Sequence, residues 1–136
     1  MLKHTKPYVR DIQITTIIGE RSHFINILYF IVTLLLMLLG ILHICITPKI
    51  HKSMTQESIW FVSGGLVLIS NATINLALFY DRMELNSLYY FCQVNNVLTF
   101  IFSVFLVRVL PRLQTKLFKL LMVLETALGF IYVHIG

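Results

Sequence analysis

The chain has 136 residues, of which 57% are hydrophobic and 12% charged, with a formal net charge of +5. Soluble domains carry about 25% charge and about 45–50% apolar residues. This composition therefore excludes a disordered chain, a nucleic-acid-binding domain and an ordinary water-soluble globule, whose exposed surface at this size needs more polar residues.

It predicts a membrane protein, so the positive balance is read first as topology and contact with lipid headgroups. In chain order, residues 1–23 hold the one sizeable segment outside the apolar runs, with Lys3, Lys6, Arg10, Asp11, Glu20 and Arg21. Its isoleucines (Ile12, Ile14, Ile17, Ile18) follow neither the helical nor the strand period. A short interfacial helix and a strand-like arm both stay open. Residues 24–46 carry no formal charge, and neither do 58–80 or 85–107. Each of these 23-residue runs is about 34 Å long as a helix, enough for a hydrocarbon core of about 30 Å. A fourth run, 117–135, is apolar except for Lys119, Glu125 and His134. Lys116 and Lys119 sit at its start, where long stems can snorkel to the headgroups.

The connections 47–57, 81–84 and 108–116 are short and force antiparallel neighbours. The expectation is an all-α integral membrane protein, an up-down four-helix bundle over 24–136 preceded by the segment 1–23. Pro48 is expected to close the first helix and Pro111 to separate the third from the fourth. The first apolar run is too long for the core of a signal peptide and no small-residue cleavage pattern follows it, so it is expected to remain as a span.

The N-terminus, the 81–84 loop and the C-terminus share one side, here called A; the other connections lie on side B. Near the spans, side A has Arg10, Arg21 and Arg82, whereas side B has Lys49, Lys52, Arg108, Arg112, Lys116 and Lys119. The balance of basic residues assigns side B to the cytoplasm.

Polar groups inside a span are costly, so their depth is informative. Taking the centre of each span as the midplane, Asn71, Asn96 and Glu125 all fall within about 3 Å of it. Glu125 is expected to point inward, uncharged and hydrogen-bonded to an Asn amide. Asn71 and Asn75 share a helix face, as do Cys92, Asn96, Thr99 and Ser103; in the first helix Asn26, Thr33, Gly40 and His43 align. These are the expected inner seams. They serve either as a proton- or ligand-binding spot around Glu125, Asn71 and Asn96, or as interhelical glue. His43, about 12 Å from the midplane towards side B, faces Ser63, Gly64 and Gly65 and is either a structural histidine or a ligand contact. Trp60 is expected to anchor at the interface. The basic cluster Arg108, Arg112, Lys116 and Lys119 is either topological flank charge or a site for anionic headgroups.

Depth also excludes chemistry. His43 and His134 are separated by about 24 Å along the normal, which rules out a bis-histidine haem. Cys45 and Cys92 are about 21 Å apart in depth, beyond the about 7 Å limit for a disulfide. The Asn71-Ala72-Thr73 sequon is mid-membrane. No nucleotide-binding, metalloprotease or hydrolase motif and no paired carboxylates are present, so no catalytic residue, metal or cofactor is expected.

Three features together, Gly40-Ile-Leu-His43-Ile-Cys-Ile-Thr47-Pro48, Trp60-Phe-Val-Ser-Gly-Gly65-Leu and Asn95-Asn96, resemble small bacterial four-helix membrane proteins loosely similar to the DoxX-like superfamily. The resemblance spans about residues 24 to 130 and implies a bundle fold in a bacterial cytoplasmic membrane, without established chemistry. Small multidrug transporters share the helix number, but their essential acid lies in the first helix, where this chain has none. Two functions are carried forward. One is a non-enzymatic accessory or assembly subunit, in a homo-oligomer or a larger membrane complex. The other is a transporter or lipophile-binding protein using Glu125, Asn71 and Asn96. A lipid-modifying enzyme using His43 is a third option that lacks a second reactive group.

Overall fold

The computed structural model describes residues 6–81 and 86–135, with side chains placed for 22–81 and 86–132. It is all-α: α1 (Lys6–Ile50), α2 (Gln56–Asp81), α3 (Asn86–Val109) and α4 (Leu113–Ile135). Ser22–Ile50, α2 and α3 are each long and apolar enough to cross a membrane. Helix α4 carries Lys116, Lys119 and Glu125 within its length.

Helix α1 differs from expectation at both ends. Residues 6–23 are neither a strand-like arm nor a separate short helix, but continue into the first apolar run. Pro7 lies in the first turn, where its missing N–H removes no helical bond, and the single Gly19 is too weak a breaker to interrupt a rod of this length. The resulting 45-residue helix is about 68 Å long, more than twice a hydrocarbon core. At the other end Pro48 lies inside the helix and does not close it. A proline removes its own bond and crowds the carbonyl four residues back, but two residues from the helix end it leaves the following bonds free to form. Around it, Thr47 donates its hydroxyl to the His43 carbonyl (2.7 Å) and the His51 amide bonds the Thr47 carbonyl (2.9 Å), so the helix reaches Ile50.

The turn to α2 is short and capped. The Ser58 amide donates to Thr55 Oγ1 (3.2 Å) and the Thr55 amide donates to Ser58 Oγ (2.8 Å), a reciprocal arrangement that satisfies two otherwise orphaned donors. Thr55→Ala is expected to lower stability by about 1 kcal/mol, and Thr55→Ser to leave it unchanged. Detergent-titrated unfolding followed by circular dichroism would read both. Pro111 separates α3 from α4 as expected: α3 ends at Val109, and the Arg112 carbonyl receives the Lys116 amide to begin α4.

Consecutive helices run antiparallel, with Gly40 opposite Gly65 and Tyr29 opposite Asn75. The four form a ring: α1 packs on α2 and α4, α3 packs on α4, and α2 meets α3 more sparsely. Tyr29, Val32, Leu36, Leu68, Ala72, Leu121, Met122 and Leu128 fill the core. On α1 the outward stripe is Phe24, Ile27, Ile31, Leu35, Leu38 and Leu42. Inside, at the same levels, lie Thr33, Asn71, Asn75, Gln93, Asn96 and Glu125, all buried. This is the reverse of a water-soluble bundle, and an apolar exterior this extensive suits hydrocarbon.

Candidate functional site

The buried amides, with Glu125, Thr33 and Cys92, form one layer across the bundle, near the middle of α2, α3 and α4. Its hub is Asn75, which faces Asn96 amide to amide: each Nδ2 donates to the other's Oδ1 at 2.8 Å. Asn75 Oδ1 also accepts from Tyr29 Oη (2.7 Å) and from Cys92 Sγ (3.1 Å). Asn71 Nδ2 donates to Asn96 Oδ1 (3.1 Å), and Asn75 Nδ2 reaches the Asn71 carbonyl one turn back (2.9 Å). Three helices are thereby tied through one amide pair. The spacing explains it: Asn71 and Asn75, and likewise Cys92 and Asn96, are four residues apart and so face the same seam.

Glu125 is fully buried, as depth predicts, but its partner is not an Asn amide. Thr33 Oγ1 on α1 lies 2.6 Å from Glu125 Oε1 and 2.9 Å from the Tyr29 carbonyl. Thr33 has a single hydroxyl proton, and both neighbours are oxygens. Thr33 donates to both oxygens through one shared proton, and a protonated carboxyl would strengthen the pair by donating back to Thr33, leaving the Thr33 proton to the Tyr29 carbonyl. Glu125 Oε2 and the side-chain amide of Gln93 have no hydrogen-bond partner among the described residues. An unpaired carbonyl oxygen is far less costly in this setting than an unpaired negative charge. Gln93 lies over Gly129, one turn along α4 from Glu125, where a β-carbon would stand 2.7 Å from Gln93 Nε2.

The layer is closed by apolar packing. Towards side A, Tyr29 stacks on Tyr132 (5.2 Å between centroids), and Phe79 packs against both rings. Towards side B it is covered by Leu36, Leu68 and Met122.

The structure thus brings Asn71 and Asn96 into contact and sets Glu125 against α1. His43 stands apart, ten positions after Thr33, about 15 Å along the helix. It is half-buried, with its ring stacked on Phe61 at 4.4 Å and 18°. Trp60 is 70% exposed. Arg108, Arg112 and Lys116 are exposed around the α3–α4 turn, with Lys119 half-buried one turn further on. Cys45 is exposed and Cys92 buried, both as free thiols. The side chain of His134 lies outside the described residues.

Tyr29 and the central role of Asn75 escaped the sequence reading. Asn75 had a signal, its place four residues after Asn71. Tyr29 had only its position one turn before Thr33. Comparison with known protein families, characterised proteins and solved structures finds no match for this chain.

Proposed function

We propose that this chain is an integral membrane protein without catalytic chemistry, an accessory or assembly subunit whose polar layer specifies how its four helices pack. Under this reading α4 is the fourth span, the surroundings are membrane lipids, and further helices of its own kind or of a larger membrane complex are its protein partners. One observation carries the proposal: the Tyr29, Asn71, Asn75, Cys92 and Asn96 side chains bond to one another in a layer where every side chain is buried. Groups already engaged with each other hold helices together and offer little to a passing solute. A transport route through Asn71, Asn96 and Glu125 needs space at that level. The interior there is filled by Tyr29, Leu36, Met122 and the amides themselves.

Glu125 discriminates between the two functions. Gln at this position presents an N–H to Thr33 as the protonated carboxyl does, so Glu125→Gln is expected to change stability by less than about 1 kcal/mol. In proteoliposomes with an imposed pH gradient, wild type and Glu125→Gln are expected to show the same proton leak as empty vesicles. A proton flux present in wild type and lost in Glu125→Gln would overturn the structural role in favour of a titrating site.

A further inference from the structure

A pocket of about 50 Å³ lies at the side B end of the bundle, bounded by His43, Gly64, Val67, Phe102, Leu106 and Phe118. It holds the end of a chain rather than a compact ligand, which needs about 300–1,000 Å³. Val67 and Phe102 are 47% and 52% exposed, so the mouth faces sideways between α2 and α3, the sparsely packed seam. Gly64 makes the opening: a β-carbon there would have nothing within 4 Å. The walls are apolar except for His43, Gln114 and Thr115.

The charge beside this mouth is one-sided. Arg112 lies one turn before Thr115 on the same face of α4, Lys116 follows Thr115 directly, and no acidic residue occurs from Asn86 to Leu124. Glu57, in the first turn of α2, is the acid on the opposite wall of this end. Leu106 and Thr115 are each within three residues of a helix end, about 5 Å in depth, which is where headgroups meet acyl chains if α3 and α4 cross the bilayer.

We propose that the pocket and its basic border bind one anionic phospholipid. An acyl chain enters between α2 and α3 over Gly64, and the phosphate rests on Arg112 and Lys116. This inference depends on the membrane reading and adds a specific lipid to it.

Trp60, the single tryptophan, lies one turn before Gly64 on the same side of α2 and reports on the mouth. The full chain is reconstituted in phosphatidylcholine vesicles containing matched fractions of phosphatidylglycerol or phosphatidylcholine with brominated acyl chains, and Trp60 quenching is measured. Brominated phosphatidylglycerol is expected to associate about fivefold more strongly, the effect of one engaged cation near a membrane surface. Gly64→Leu fills the mouth and is expected to abolish the preference while circular dichroism stays unchanged; Arg112→Gln with Lys116→Gln is expected to reduce it. Equal quenching by the two lipids in wild type overturns the lipid site and leaves the bundle reading standing. A preference that survives Gly64→Leu assigns it to surface charge and overturns the pocket. Quenching by neither lipid overturns the membrane reading and the site with it.

Discussion

Gly65→Val is expected to unfold the bundle or lower its stability by about 3 kcal/mol or more. At this crossing α1 and α2 touch through their backbones. A β-carbon on Gly65 would stand 2.7 Å from the Gly40 carbonyl oxygen, and one on Gly40 would stand 2.7 Å from the Gly65 carbonyl oxygen. A carbonyl oxygen inside a helix cannot swing aside, so the helices must separate. Separation at this point also pulls Tyr29 away from Asn75, further along the same interface. Close backbone approach of this kind, with Cα–H groups against carbonyls, is how small residues join helices in an apolar medium. Gly64→Val is the matched control. Its β-carbon meets nothing, and its effect is expected to stay within about 0.5 kcal/mol. Detergent-titrated unfolding of the two variants, followed by circular dichroism, tests the contrast; equal effects would show that the crossing does not depend on Gly65.

Asn75→Ala is expected to destabilise by about 2–4 kcal/mol, more than any other substitution in the polar layer. The loss strips the acceptor from Tyr29 Oη and breaks both bonds of the amide pair with Asn96. Each donor orphaned in a dry interior costs about 1–3 kcal/mol, although hydrogen bonds between membrane helices measure only about 0.6 kcal/mol on average. Asn71→Ala removes one donor to Asn96, whose Oδ1 still receives Asn75, and is expected to cost about 1 kcal/mol. If orphaning is the mechanism, Tyr29→Phe should relieve part of the Asn75→Ala defect, giving a coupling energy of about 1 kcal/mol in a double-mutant cycle. Strict additivity would mean that Tyr29 and Asn75 stabilise independently and that the shared bond contributes nothing.

The helices and the inward-facing layer were legible in the sequence for one physical reason: charge is excluded from long apolar runs. The gaps between charged clusters therefore marked α2 and α3 to within two residues at each end. Depth followed from counting residues, which is why Asn71, Asn96 and Glu125 fell at one level. Counting does not supply the azimuth, and azimuth selects the partner. Glu125 turned to Thr33 on α1 instead of to an amide on α2 or α3. Tyr29 was hidden because a tyrosine in an apolar run reads as aromatic packing, and only the fold reveals that its hydroxyl meets Asn75. The continuity of α1 was obscured by charged residues such as Arg10, Asp11, Glu20 and Arg21, which do not interrupt a helix. Pro48 misled in a similar way: a proline this near a terminus deletes one bond and leaves the last turn intact.

The bond between Thr33 and Glu125 joins positions 92 apart in sequence, and this bears on the order in which the molecule assembles. Every amide of the polar layer belongs to α2 or α3, and Tyr29 to α1, so these three helices can associate before the last one emerges. Their docking presents the Thr33 hydroxyl along an open trough. Helix α4, with two lysines near its start and a carboxylic acid at its middle, gains a lining for its acid when it closes that trough. The Thr33–Glu125 bond forms only once α4 has docked, whereas α1 to α3 would keep their amide layer beside an exposed Thr33 hydroxyl without it.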